Sequence, residues 1–291
     1  MPTQTNGARQ SALADFAPRY ERPTENRGRS VADIIVDALA ILHQDAAEYA
    51  FAALLGAIAA AFAALVLPAA GGIVGLGLMA PAVFIVAVVT YANTCAAVRR
   101  AQENLEPDAV RAFFAVLARM PAVLPPLALP LVLTGVSVLA GVIAAKWAPN
   151  SVMTLAVIIV FAVAGLSAFQ RSLYIPALFA RNVSFADARL LGGAAMRKAG
   201  VLVGACFTIV MAPAALFAML ALATGFSFAA TAVAVFAFVA SMPIAATIAT
   251  LIYDGIAPQV APEVLRAQRQ TWDADAQTSA RLSRQYAERR R

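Results

Sequence analysis

Charge is what this sequence has least of. Only 13% of its 291 residues are Asp, Glu, Lys or Arg, about half of the roughly 25% that a soluble globular domain uses to cover its surface. Histidine occurs once, as His43, so a multi-histidine metal site is excluded within one chain. Cysteine occurs twice, and Cys95 and Cys206 both lie in apolar segments far apart in sequence. That spacing is neither a disulfide framework nor a zinc ligand set, and both read as small hydrophobes. Acidic residues are absent from the centres of the apolar segments, where transporters place the ionisable groups of their pathways.

What the sequence has in excess is apolar length. It is 62% hydrophobic, with a mean hydropathy of +0.77. Six apolar stretches run at about 46–68, 72–97, 121–145, 151–179, 200–223 and 227–253. Each exceeds the roughly 20 residues that cross a ~30 Å hydrocarbon core at ~1.5 Å per residue. None alternates as a membrane β-strand would. The expected fold is therefore all-α, a polytopic bundle of six transmembrane helices. Residues 1–29 are polar, read as a disordered cytoplasmic tail, and carry no apolar core of a signal peptide. The membrane domain spans 30–255, and 256–291 is a basic tail with helix-forming parts at Glu263–Gln270 and Ala274–Arg291.

The net charge of +6 is distributed in bands. Five Arg precede residue 30, four (Arg99, Arg100, Arg111, Arg119) fall in the first long connection, and four more basic residues (Arg181, Arg189, Arg197, Lys198) fall in the second. Seven Arg occupy the C-terminal tail, while the three short connections hold only Lys146. Basic loops face the cytoplasm, which puts both termini inside a bacterial cytoplasmic (inner) membrane. The partner implied is anionic lipid headgroups, with nucleic acid excluded because no single soluble basic patch forms.

Ser30-Val-Ala-Asp33 recurs as Ser184-Phe-Ala-Asp187, and Glu106-Pro107-Asp108 lies halfway between them. Asn104, Arg111 and Arg119 match Asn182, Arg189 and Arg197 at a constant offset of 78 residues. The pattern reads as three pseudo-repeats, each one interfacial amphipathic helix followed by two spans. Ser30 and Ser184 are expected N-caps with Asp in the first turn. Val110, Phe113, Phe114 and Leu117 share one helical face, suited to lie on the headgroup layer with Arg111 and Arg119 towards phosphates; packing on the bundle is the alternative.

Within the spans, Arg171 is the single charge, eight to ten residues from the cytoplasmic end. It can snorkel, pair with Asp254 or Glu48, or anchor a lipid phosphate or substrate inside the bundle. Tyr91 and Tyr253, each ten residues after a proline (Pro81, Pro243), fit an inner aromatic belt. Pro125, Pro126, Pro130, Pro213 and Pro243 should kink their helices and open cavities. Gly71, Gly72, Gly75 and Gly77 have no surrounding βαβ unit and are not a dinucleotide site; Gly71 and Gly75 fit small-xxx-small helix packing.

The run QRSLYIPALFARNVSFADARLLGGAAMRKAGVLVG and the closing ATLIYDGIAP resemble the glycerophosphodiester phosphodiesterase membrane-domain family and YciC-like bacterial inner-membrane proteins. The matching residues are Arg171, Ser172, Pro176, Ala177, Leu178, Tyr253 and Asp254, within a resemblance covering about residues 30–256. Arg181 stands where the family has an acidic residue, and the tryptophan of the interfacial helix is missing. In fused relatives the catalysis belongs to a separate soluble barrel, so the resemblance implies a membrane domain and no phosphodiesterase activity.

No catalytic residue, cofactor site or metal site emerges. The function expected is that of a non-enzymatic membrane protein organising lipids or an unknown partner protein. The alternative is a transporter or lipid-handling protein with a cavity at the centre of the bundle. Arg171, Arg111, Arg119, Arg189 and Arg197 are the candidate lipid or substrate contacts. The topology is directly testable. With Cys95 and Cys206 replaced by Ser, a Ser283→Cys variant in intact spheroplasts should react only with a membrane-permeant maleimide. A Ser151→Cys variant should react with an impermeant one; the reverse pattern would invert the topology.

Overall fold

The computed structural model describes residues 30–102, 108–147, 151–180, 183–223 and 228–289. The expected tail 1–29, Asn104, Glu106, Pro107, Arg181, Asn182 and the final Arg290 and Arg291 lie outside the described residues. Among those described, all regular structure is helical: α1 (Val31–Gln44), α2 (Ala46–Gln102), α3 (Ala109–Trp147), α4 (Ser151–Phe169), α5 (Tyr174–Leu178), α6 (Phe185–Ala223), α7 (Phe228–Ala240) and α8 (Met242–Arg289). Five stretches are long and apolar enough to cross a membrane: Ala46–Ala69, Gly77–Gln102, Ala109–Val136, Phe185–Leu220 and Ala229–Arg266.

The start signals act as their chemistry requires. Ser30 Oγ accepts from the Asp33 amide at 3.2 Å while the Asp33 carboxylate accepts from the Ser30 amide at 2.9 Å, a reciprocal capping box. Ser184 Oγ accepts from the Asp187 amide at 3.2 Å. At the middle start, Asp108 Oδ1 accepts from the Arg111 amide at 2.9 Å. Only the first of these starts opens a short helix of its own, α1. In α3 and α6 the helix runs on from the cap into the apolar stretch, in α3 even though Pro121, at the junction, supplies no amide to the hydrogen-bond ladder. Val110, Phe113, Phe114 and Leu117 remain exposed while Ala109, Ala112 and Val116 are buried. The face suited to lipid is thus the face that the bundle leaves uncovered.

Gly72 reverses the chain inside α2. Its φ of 54° and ψ of −128° are accessible to glycine and strained for a residue with a Cβ. The two halves then pack as a hairpin, with Gly56 against the Thr90 side chain and Gly75 against the Leu67 carbonyl. Gly71 meets nothing within 4 Å, so of the two glycines expected in small-xxx-small packing only Gly75 makes a close approach, to the facing backbone at Leu67.

The hairpin of α2 packs against α3, α7 and α8; α6 packs on α7 and α8; α4 packs extensively on α3. Tyr91 and Tyr253 are 6% and 0% exposed. Both are held inside the bundle and not in an aromatic belt at the interface, because each sits on the helix face that other helices cover. Pro121, Pro125, Pro126 and Pro130 lie within α3 and Pro213 within α6, and Pro243 follows the interruption at Ser241 that divides α7 from α8. The boundary expected at 255/256 is not a break. α8 continues through it, and Ile256, Ala257, Val260, Ala261 and Val264 are buried, while α1 packs against α8.

The apolar stretch 151–179 is not one helix. α4 ends at Phe169, a turn occupies 170–173, and α5 comes next, buried from Tyr174 to Leu178. Close approach of α6 makes room for this: a Cβ on Gly192 would lie 2.7 Å from Tyr174 Cα and 2.9 Å from its amide nitrogen. Backbone cannot yield as a side chain can. Gly192→Val is expected to destabilise the protein by about 1–3 kcal/mol through overpacking. Gly193→Ala, next to it with nothing within 4 Å, should be neutral or slightly stabilising. Thermal unfolding in detergent measures both, and equal melting points would refute the packing account.

Candidate functional site

A partly enclosed cavity of about 640 Å³ lies between α2, α3, α4, α6 and the α7–α8 junction. Its wall is almost wholly apolar, from Met79 and Thr134 at one end to Tyr91, Arg171, Ser172 and Ile175 at the other. From Met79 to Tyr91 along α2 the distance is about 18 Å at 1.5 Å per residue, so the cavity is elongated along the helices. On one side Ala164, Gly165 and Ala168 of α4 face a space whose other wall holds Ala214, Ala215 and Ala218 of α6. These small side chains leave the volume unfilled. Phe169 and Phe207 meet edge to face at 6.1 Å and join α4 to α6 at the polar end.

The polar end is the helix break. A break at membrane depth is tolerated only where its backbone groups find partners. Tyr91 donates its hydroxyl to the Ser172 carbonyl at 3.0 Å, and Tyr174 donates to the Ala122 carbonyl at 2.7 Å. Arg119 donates to the Leu178 carbonyl at 2.5 Å, with its guanidinium 5.2 Å from the centre of the Phe179 ring. Arg171 donates to the Ser167 carbonyl at 2.6 Å and to Ser167 Oγ at 2.5 Å, both through Nη1. Ser172 Oγ is buried with no hydrogen-bond partner among the described residues.

The structure therefore separates the five candidate arginines. Arg171 lines the cavity. Arg119 is turned onto α5 and serves the break. Arg111 is exposed and pairs with Asp108 at 3.1 Å; Arg189 and Arg197 are also exposed on α6, away from the cavity wall. Arg171 makes no ion pair with Asp254 or Glu48. Those carboxylates are engaged elsewhere: Asp254 with Arg99 at 2.5 Å and Gln102 at 3.0 Å, Glu48 with the Ala109 amide at 3.1 Å.

Arg99 and Asp254 form the second polar feature, on α2 and α8. Their side chains are only 7% and 13% exposed, and the guanidinium lies 5.7 Å from the Tyr253 ring centre. Assigned by sequence to a basic loop, Arg99 is instead buried in the last turns of α2, because the helix continues to Gln102. A partnership spanning more than 150 positions leaves no local signal; the sequence singles out Tyr253 and Asp254, but with an aromatic belt and Arg171 as their expected surroundings in place of Arg99.

Fold and cavity together define a multi-pass α-helical membrane protein with a hollow, apolar interior. No protein-family model, no curated protein and no solved structure matches the chain. Among the described residues no three His, Cys, Asp or Glu side chains are grouped so as to hold a metal ion.

The Arg99–Asp254 pair has a measurable signature. Removing one partner of a buried pair strands the other charge, at about 3–5 kcal/mol, whereas removing both costs far less. Arg99→Met and Asp254→Leu should each lower the melting temperature more than the double variant does. Additive losses would show that the two groups act independently.

Proposed function

We propose that this chain is a non-enzymatic protein of a bacterial inner membrane that organises lipids by taking an apolar chain into its bundle. The observation that carries this reading is the cavity: about 640 Å³, walled by apolar side chains, with small residues on both α4 and α6. Its volume falls within the ~300–1,000 Å³ of sites that bury a small ligand. An apolar void of this size inside a membrane-embedded bundle has lipid as its most abundant available occupant. The residues around it supply no nucleophile paired with a base and no cluster of carboxylates, which favours holding or passing a lipid over transforming one.

The proposed topology has six spans, with α4 as the fourth. Its 19 residues extend about 28 Å, close to the ~30 Å hydrocarbon thickness. Six crossings return the C-terminus to the side of the N-terminus, as the bands of basic residues require; five would put a basic tail on the other side. The pseudo-threefold repeat belongs to the same proposal, and the caps at Ser30, Asp108 and Ser184 support it. Membership of the membrane-domain family rests on the Arg171–Leu178 and Tyr253–Asp254 motifs.

Native mass spectrometry of protein released gently from its own membrane tests the reading. Wild type is expected to retain a bound lipid. Ala215→Trp, which fills the cavity from α6, should reduce that occupancy at least about fivefold without disturbing the elution profile. Equal lipid retention by the two proteins would place the lipid elsewhere and remove the cavity from the account.

A further inference from the structure

We infer that the cavity is built for an acidic amphiphile with a single acyl chain, its head on Arg171 and its chain along the wall towards Met79 and Thr134. The inference rests on the lipid-holding reading and specifies the class of lipid. Three observations carry it.

The first is the charge. Arg171 lines the cavity, yet no acidic side chain among the described residues lies within ion-pair distance of it. Its hydrogen bonds all leave from Nη1, to Ser167; Nε and Nη2 donate to no described residue. A guanidinium at membrane depth is costly unless paired, and the nearby carboxylates of Asp254 and Glu48 are committed to Arg99 and to the Ala109 amide. An anionic headgroup supplies the missing partner, and a guanidinium offers a carboxylate or phosphate two parallel donors.

The second is a polar group beside it. Ser172 is 9% exposed, lines the same cavity, and its Oγ has no hydrogen-bond partner among the described residues. A buried hydroxyl without a partner is costly, and although its Oγ is sealed beneath the wall, a rotamer change would bring this donor beside Arg171 and a bound acidic head. Everything else along the wall is apolar except Tyr91, whose hydroxyl is already spent on the Ser172 carbonyl, and Thr134, bonded to the Pro130 carbonyl.

The third is size and access. The cavity is elongated, about 18 Å from Tyr91 to Met79 along α2, which suits one extended acyl chain lying along the helices with its head at the Arg171 end. Entry is lateral. α4 packs extensively only on α3, and the side chains lining the cavity on α4 and α6 are mostly alanine and glycine, so this side is the proposed route for a chain.

Electron paramagnetic resonance on the purified full-length protein tests this, with doxyl stearate labelled near the chain end and its uncharged methyl ester as probes. The immobilised fraction of stearate should exceed that of the ester by at least about tenfold in apparent affinity. Unlabelled lysophosphatidate tells a carboxylate from a phosphate source: displacement of stearate means that the site takes either head, and no displacement means carboxylate alone, both within the proposed class. Arg171→Gln should abolish the preference for the acid while leaving the ester unchanged, and Arg171→Lys should restore most of it. The wild-type comparison of acid and ester stands by itself should Arg171→Gln fail to fold. Equal binding of acid and ester, indifferent to residue 171, overturns the headgroup assignment and leaves the lipid-holding reading intact. Failure of both probes to be immobilised overturns the headgroup assignment and the lipid-holding reading together.

Discussion

Lipid cannot hydrogen-bond a peptide group, and most of this structure is a consequence of that. Inside the hydrocarbon core each amide must find its partner within the protein, so the apolar sequence condenses into helices. Hydroxyls within those helices turn back on their own backbone: Thr90 to the Val86 carbonyl, Thr94 to Thr90, Thr247 to Pro243 and Thr250 to Ala246. Where the ladder breaks, between α4 and α5, side chains from distant segments converge on the exposed carbonyls. Tyr91 and Arg119 share that task from α2 and α3, and Arg171 caps the Ser167 carbonyl of its own helix. Tyr174 reaches the other way, to the Ala122 carbonyl of α3 that Pro126 leaves without an amide partner. The break is consequently cross-linked to its neighbours. It ties α2, α3 and the α4–α5 junction together with polar bonds that lipid cannot compete for.

Arg99 and Arg171 are treated in opposite ways. Arg99 is matched with Asp254, with Gln102 bonded to both partners, a closed arrangement that joins α2 to α8. Such a pair spends its charge on holding two helices in register. Arg171 bonds only neutral oxygens of Ser167 among the described residues and is one of the residues lining the cavity. A sequence needing only a structural cap there has cheaper options, such as Ser or Thr, which bond the i−4 carbonyl with no charge to desolvate. Keeping arginine in that position favours a use for the charge itself.

Sequence alone makes visible what is local or periodic. Long apolar runs announce the membrane segments, and Ser30, Asp33, Ser184 and Asp187 announce helix starts that the structure realises as caps. What escapes depends on partners remote in sequence. The turn at Gly72 is hidden because its glycine neighbours equally suit helix packing. The interruption at 170–173 is hidden because QRSL is compatible with a helix; it is selected by the space over Gly192 and by the Tyr91 hydroxyl, 81 positions away. Tyr91 and Tyr253 suggest an interface in sequence and lie inside the bundle in the structure. Depth along a helix is legible in a sequence, whereas the face a helix buries depends on neighbours. Arg171 stands out as an exceptional charge from the sequence, while its surroundings come only from the fold.

The cavity raises a question of cost that bears on its purpose. Filling it with protein would be easy: Ala164, Gly165 and Ala168 opposite Ala214, Ala215 and Ala218 are six positions where larger side chains would bring α4 and α6 into contact. In water such a void would be penalised by roughly 24 cal/mol per Å³, a loss this size of opening could not sustain. In a bilayer the penalty disappears once a lipid chain replaces the missing side chains, because the chain restores the dispersion contacts. Small residues lining an open apolar cavity cost less in a medium that supplies a filling. The hollow interior and the apolar surround are two halves of one design, and the uncompensated Arg171 at the cavity's end decides which of the available chains fits it best.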